Sequence, residues 1–421
     1  MKSVKIVITS ASYSGNKGAA AMLQSSIQQL YDIYGKQLQV NLISSYPDED
    51  KNQIPWSFMK LIPAKPKHLA LVDFPAAILF HIFKKNKYLR KILLRNQVVN
   101  SYHNCDMVID ESGISFADEQ GAMMNTYAFI RMAIPILIGK PVIKYSQALG
   151  SFNNFYNRLL AKIILPKLDL ICARGQITYR HMSSIGVTKN VKICADGAFS
   201  MGDSVYWKQY VEKKCSEDKF FDSTIVGISI SSVVEKKCES IGIDYCAVIN
   251  EFITYLNKSG YSVLLIANAA RINSSKTSNN DLWTGDRIFS LVKNKNAVRW
   301  YHKEMAAEEI REYIGKCEYL VASRFHAMIG ALERKVPVFL IGWSHKYQEV
   351  LDMFELGQYA ADYSELTVDE LIEGFEKMKA DNGNIIELLN KHHEEVVKSS
   401  KMNICLISKR IDKIIQEKEI I

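Results

Sequence analysis

The sequence predicts an α/β protein of two domains, each a parallel sheet covered by helices, and three observations carry that prediction. Its 421 residues exceed the roughly 100–200 expected of one domain. Short apolar runs ending in polar residues alternate with helical patterns, an order that builds parallel sheets covered on both faces. The alternation pauses at a charged stretch, 208–222, and restarts beyond it, so the boundary lies near 205–222. The expected division is 1–210, 211–383 and a helical tail, 384–421, that packs back across the junction.

The first strand, Val4–Thr9, runs into the turn Gly15-Asn16-Lys17-Gly18, and the helix formers from Ala19 onward continue to about Tyr34. Strands are expected at Gln39–Ser44, Met107–Asp110, Val142–Gln147 and Leu170–Ala173, with helices at Met123–Leu137 and Asn154–Leu165. In the second half, strands at Thr224–Ser231, Ser262–Ala267, Ala297–Tyr301, Tyr319–Ser323 and Pro337–Gly342 alternate with helices. Those helices are Tyr245–Lys258, Asp281–Lys293, Ala306–Cys317, Phe325–Arg334 and Lys346–Phe354. Eight of the nine prolines lie at or before Pro166, which marks the first domain as the less regular one. The tail carries apolar positions from Ile385 to Ile415 at helical spacing.

Composition is that of a folded globular chain, with 48% apolar and 23% charged residues. Of the net charge of +8, nearly all comes from Leu61–Arg95, which holds eight basic residues and one acid. A footprint so local argues against nucleic acid as partner. The same segment combines Leu69, Leu71, Val72, Phe74, Ile78, Leu79, Phe80, Ile82 and Phe83 with flanking clusters of lysine and arginine. It reads either as an interfacial element on an anionic membrane or as a core helix followed by a solvated basic one. Leu69–Phe83 is the longest apolar stretch noted and is too short for the ~20 residues of a membrane span, and no secretory leader is recognised. The eight cysteines form no C-x-x-C pair and read as buried thiols of a reducing, cytoplasmic protein.

Ligands of parallel sheets bind at the carboxyl ends of the strands, and two such edges are expected to face each other across a cleft. Polar residues placed there are the candidates. In Ser323-Arg324-Phe325-His326 a buried strand passes into a helix, whose first N–H groups and dipole favour an anion. Arg324 and His326 fall on one side of locally extended chain, bringing a permanent cation beside a titratable imidazole. The alternative is an arginine paired with a surface acid and a satisfied buried histidine. Arg174 also follows a strand, with a structural role as its commoner reading. Asp196-Gly197 reads as a turn. Asp110 and Glu111 place two carboxylates after a strand, suited to general-base activation of a sugar hydroxyl or simply solvated in a loop. Gln147 ends another strand. The Gly15–Gly18 turn can cradle an anion with its amides but fits neither the Walker nor the G-x-G-x-x-G pattern. No metal cluster is recognised.

With these residues in view, the chain resembles the polysaccharide pyruvyl transferase family. The most specific part is Ser323-Arg324-Phe325-His326-Ala327 followed by Val336-Pro337-Val338. Supporting matches are Gly15–Gly18, Gln147-Ala148-Leu149-Gly150, Ala173-Arg174, Ile185-Gly186-Val187 and Asp196–Phe199. Ala19, Glu111-Ser112 and Gly197 stand where the family often has Asp, two glycines and Pro. The resemblance implies two Rossmann-like domains in the GT-B arrangement. It also implies transfer of the enolpyruvyl group of phosphoenolpyruvate to a saccharide as a ketal, in cell-surface polysaccharide synthesis. His326 is then the proton-transfer residue, with Glu111 and Asp110 beside the acceptor hydroxyl. Arg324, Arg174, Ser323 and Phe325 hold the donor, and Gly15, Asn16, Lys17, Gly18 and Gln147 the acceptor, which is expected on a lipid at the membrane's inner face. Neither cofactor nor metal is expected. Two other readings stay open: a nucleotide-sugar glycosyltransferase, with Glu349 or Asp352 on the ribose, and a non-catalytic saccharide- or anion-binding protein.

Overall fold

The computed structural model describes residues 3–272, 279–342 and 345–420. The chain forms two compact units. The first comprises residues up to Ser14, Met22–Met201 and Lys398 onward, and the second Gly15–Ala21 with Gly202–Val397. The glycine turn therefore clusters with the second unit, although it follows the first strand of the first.

In the first unit the strands are β1 (Val4–Thr9), β2 (Leu38–Ser44), β3 (Met59–Pro63), β4 (Met107–Asp110), β5 (Val142–Leu149), β6 (Leu170–Ala173) and β7 (Val191–Ile193). They are all parallel and lie in the order β3-β2-β1-β4-β5-β6-β7, with Ile114–Ser115 paired onto β5. This is the doubly wound Rossmann order, in which the sheet grows outward from β1 in both directions. Every residue of β4, β5 and β6 is buried, as expected for a sheet covered on both faces. Val7, Val108, Ile134, Ile171 and Met182 belong to one core cluster of this unit.

The second unit repeats the plan with β8 (Ile225–Ile230), β9 (Ser262–Ala267), β10 (Val298–Trp300), β11 (Tyr319–Ala322), β12 (Val338–Gly342) and β13 (Ala360–Asp362). Their order is β10-β9-β8-β11-β12-β13, again parallel throughout and again Rossmann-like. Each sheet thus has one switch point, between the carboxyl ends of its two central strands. In the first unit these are the ends of β1 and β4, and in the second those of β8 and β11.

The last helix, Asn382–Ile420, belongs to the second unit up to Val397 and to the first from Lys398. Within the first unit Ser400 Oγ donates to the Asp196 carbonyl at 2.6 Å, and Asn403 Nδ2 to that of Ala195 at 3.0 Å.

Two sequence expectations change. Among the described residues, the helix long and apolar enough to cross a membrane by length and composition lies at Asp118–Ile138 rather than at 69–83. A third of it is buried, and it packs beside the Phe74–Ile82 and Phe155–Ile164 helices. Among the cysteines, Cys405 is exposed and Cys215 half-buried, while the other six are buried; all eight are free thiols.

Candidate functional site

At the switch point of the second unit, β8 runs into Ser231-Ser232 and β11 into Ser323-Arg324. Arg324 is the N-cap of the Phe325–Glu333 helix, in extended conformation. Its guanidinium clasps Asp281 with two N–H groups, Nε to Oδ2 at 3.0 Å and Nη2 to Oδ1. Nη1 donates to Asn279 at 2.9 Å and Nη2 to Ser232 Oγ at 3.3 Å. Asp281 is fully buried and also accepts from the backbone N–H of Ser232, Asn268 and Ala269. It opens the Asp281–Leu291 helix, where the helix dipole favours a carboxylate. The arginine is therefore held in one orientation with 13% of its side chain exposed. Sequence spacing missed Asp281 because its partners lie 43 to 49 residues away in either direction or belong to the backbone.

The glycine turn completes this cluster. Gly15–Asn16 pairs antiparallel with Ala269–Ala270, and the Lys17 N–H donates to the Asn268 carbonyl at 2.9 Å. Asn16 Oδ1 accepts from the Gly18 N–H at 3.0 Å, capping the Lys17–Tyr34 helix. A Cβ on Gly18 would lie 1.9 Å from His326 Nδ1, and one on Gly15 2.3 Å from Arg271 Nη2. Only a glycine at position 18 admits the imidazole where it lies. Gly15 adds a second reason, since its φ of +73° suits glycine. His326 stacks edge-on against Phe325, and Phe325 against Tyr347. Lys17 is buried and pairs with Glu304 at 2.9 Å, so its charge is directed inward. The turn read as an acceptor site of the first domain is thus the wall against which His326 rests. Ser323 is buried, its hydroxyl 2.9 Å from that of Tyr245, and Phe325 is likewise a buried packing residue; neither presents a free group to a donor.

At the switch point of the first unit, several expected site residues form internal pairs. Asp110 is buried against the Lys144 ammonium, which also donates to Ser115 at 2.9 Å. Burial pushes the Asp110 carboxyl up, but Lys144 and Arg131 outweigh it and hold the group below the usual range. An aspartate so enclosed does not reach a sugar hydroxyl, which removes it as the general base. Gln147 accepts from the hydroxyls of Ser112 and Ser115 and donates to the carbonyls of Asp110 and Tyr145. Its amide is fully engaged within the unit rather than offered to an acceptor.

Arg174 likewise leaves the donor set. It is 2% exposed, pairs with Asp196 at 2.8 Å and donates to the Ser146 carbonyl at 2.8 Å. Ser146 has a φ of 50° where β5 shifts register against β6, and this irregularity turns its carbonyl toward the guanidinium. Arg174 and Asp196, separate candidates in the sequence, are each other's partners.

Glu111 is buried too, accepting from Ser26 Oγ at 2.6 Å, while its other oxygen has no partner among the described residues. Burial, and secondarily Asp110, raise its pKa to about 8 against the pull of Ser26. It is therefore a neutral acid at pH 7 rather than a ready base. A carboxyl whose folded pKa lies above its unfolded value stabilises most at low pH, and that stability falls as pH rises from about 4.5 through about 8. We expect unfolding free energy to drop by up to about 1.4 kcal/mol per pH unit across that window. Glu111→Gln should flatten the slope, which urea titrations at stepped pH would measure.

Asp281 gives a second expected outcome. Asp281→Ala leaves the Arg324 ion without its partner and three backbone donors unsatisfied. The loss should be about 3–5 kcal/mol, the range for breaking a buried pair from one side. Denaturant unfolding checks it, and a variant within 1 kcal/mol of the parent, on the order of ordinary surface substitutions, would contradict the geometry.

Among the described residues no cluster of three His, Cys, Asp or Glu side chains could hold a metal ion. Asp352 accepts from Gln348 at 2.7 Å on its own helix, and Glu349 is buried.

The chain is similar over nearly its full length to known proteins. The amylovoran biosynthesis protein AmsJ of Erwinia amylovora is 20% identical, covering 94% of this chain and all of that protein. Solved structures with the same fold include UDP-N-acetylglucosamine 2-epimerase from Neisseria meningitidis, at TM-score 0.60 and 12% identity, over 96% of this chain and 100% of that one. Anabaena HepE, solved with UDP-glucose, gives TM-score 0.58 at 11% identity, over 98% and 99% of the two chains. These likenesses establish a GT-B-like α/β fold of Rossmann-like domains. Residues 16–345 match the family model of polysaccharide pyruvyl transferase, a span that contains the glycine turn, Arg174, Asp196, Arg324 and His326. The chain belongs to the polysaccharide pyruvyl transferase family.

Proposed function

We propose that this protein transfers the enolpyruvyl group of phosphoenolpyruvate to two hydroxyls of a saccharide, forming a pyruvate ketal and releasing inorganic phosphate. The observation that carries the reading is that a fixed guanidinium, Arg324, and an imidazole lodged against Gly18, His326, stand two residues apart where β11 passes into a helix at the switch point of the second sheet. Phosphoenolpyruvate brings a phosphate and a carboxylate, and Arg324 and Arg271 supply cations beside the amides of a helix start. Arg174 is not among them.

In the reaction, His326 gives its proton to the methylene carbon of the donor, which becomes a methyl group. Positive character develops at C2, and one sugar hydroxyl attacks it. The C2–O bond to phosphate breaks, and the second hydroxyl closes the ketal. Of the two protons lost by the hydroxyls, one restores His326 and the other leaves with phosphate. Arg324 acts on the charge of the donor, and its clasp by Asp281 fixes the direction from which it does so.

The test is incubation with phosphoenolpyruvate and a mixture of glycans, without added divalent ion. The expected result is inorganic phosphate together with a glycan heavier by the pyruvate ketal. Breakdown of a nucleotide sugar, with phosphoenolpyruvate untouched, would overturn the proposal.

A further inference from the structure

The helices around the basic segment have an apolar face that nothing in the chain covers. In the run Leu69–Ile82, Leu69, Ala77 and Phe80 point into the first unit and are buried. The opposite side is apolar as well: Leu71 is 75% exposed, Ile82 62%, and Val72, Ile78, Leu79 and Phe83 lie between 36% and 46%. A helix apolar all round is ordinarily buried all round. The Gly121–Ile138 helix packs beside it and exposes Met123 to 80%. Next to that helix, Phe155–Ile164 presents Phe155, Leu159 and Ile163 at four-residue spacing, with Phe155 78% exposed. Exposed apolar surface on three neighbouring helices exceeds the scattered residues normal for a monomer.

The charge around this face selects its occupant. Lys84, Lys85, Lys87 and Lys91 are exposed and pair with no carboxylate among the described residues. They alternate with Tyr88 and Ile92, which are 74% and 40% exposed. Arg90 stacks on Phe80 at 4.9 Å, which ties the basic helix Lys87–Leu93 to the apolar one. On the third helix, Arg158 and Lys162 sit one turn apart on the same side as Phe155 and Leu159. A recess of about 430 Å³ opens beside Val72, lined by Arg95, by Lys65, which pairs with Asp48, and by His68, which pairs with Asp73. Apolar side chains bordered by unpaired cations match a bilayer of anionic lipid, where the chains enter the acyl boundary and the cations meet headgroups. Two copies of this face would set like charges together, which disfavours self-association.

We infer that the Leu69–Leu93 and Phe155–Ile164 helices, with the start of Gly121–Ile138, form one docking surface for an anionic membrane. The inference is independent of the donor chemistry. The test is sedimentation of the full chain with vesicles of phosphatidylglycerol and phosphatidylcholine, against phosphatidylcholine alone. Two variants are compared, Leu71→Asp/Ile82→Asp/Phe155→Asp and Lys84→Gln/Lys85→Gln/Lys87→Gln, each at exposed positions. The parent should bind anionic vesicles, and the lysine variant should bind them about 100-fold more weakly, from roughly a fivefold loss for each of the three lysines. The aspartate variant should lose binding at all salt concentrations. Vesicle binding unchanged in both variants would overturn the inference. So would absence of vesicle binding by the parent, or a dimer in light scattering that the aspartate variant converts to monomer.

Discussion

His326→Ala is expected to reduce ketal formation by about 100- to 10,000-fold, the usual worth of a positioned acid–base group, while the fold persists. The ring is half-buried at the start of a helix whose other side is held by Ala327, Met328, Ile329 and Leu332, all buried. Removing it trims the edge of the core without opening its centre. Thermal unfolding close to the parent's, together with lost turnover, is the expected pair of results. Arg324→Ala should behave differently. It removes donor binding and orphans Asp281, so both the apparent KM for phosphoenolpyruvate and the unfolding midpoint should suffer.

The second large effect is expected from Gly18→Ala, a change of one methyl group outside any catalytic role. The new carbon would fall 1.9 Å from His326 Nδ1, so the imidazole must rotate away from where the turn now lodges it. Misplacement of about 1 Å in a reacting group costs on the order of 100-fold. We expect kcat to fall by about that factor, with a smaller change in KM for the donor. Steady-state kinetics on phosphate release would separate the two constants. A control is Gly35→Ala, where a Cβ meets no atom within 4 Å and the cost is confined to backbone strain at φ +54°. Equal losses of kcat in both variants would point to general destabilisation instead of a displaced imidazole.

Much of this fold was legible in the sequence, for a physical reason. Central strands such as Met107–Asp110, Leu170–Ala173 and Ser262–Ala267 are buried on both faces, so they read as unbroken apolar runs with polar ends, and their bounds match the expected ones. The longer strands missed are Met59–Pro63, Val191–Ile193 and Ala360–Asp362, each at a sheet edge where partial exposure mixes polar and apolar residues. Arg324 and His326 could be picked out because a strand end, two charged groups and a helix start are consecutive. What surrounds them could not. Asp281, Asn268 and Arg271 reach the same place from another strand–helix connection, and no local spacing announces that meeting. Gly15–Gly18 was recognised as a turn but assigned by chain position to the first domain, whereas its hydrogen bonds run to Asn268 and to Ala269–Ala270. Arg174 and Asp196 show the converse error: residues conspicuous at strand ends turned out to satisfy each other in the interior.

The central claim is protonation of the donor's methylene carbon by His326, and the most direct measurement runs the reaction in deuterium oxide. Mass and proton spectra of the isolated glycan would locate the label. The account predicts a single deuteron in the methyl group of the pyruvate ketal, with release of inorganic phosphate, and neither from the His326→Ala protein. A ketal methyl free of deuterium, or full labelling and turnover by the alanine variant, would contradict it.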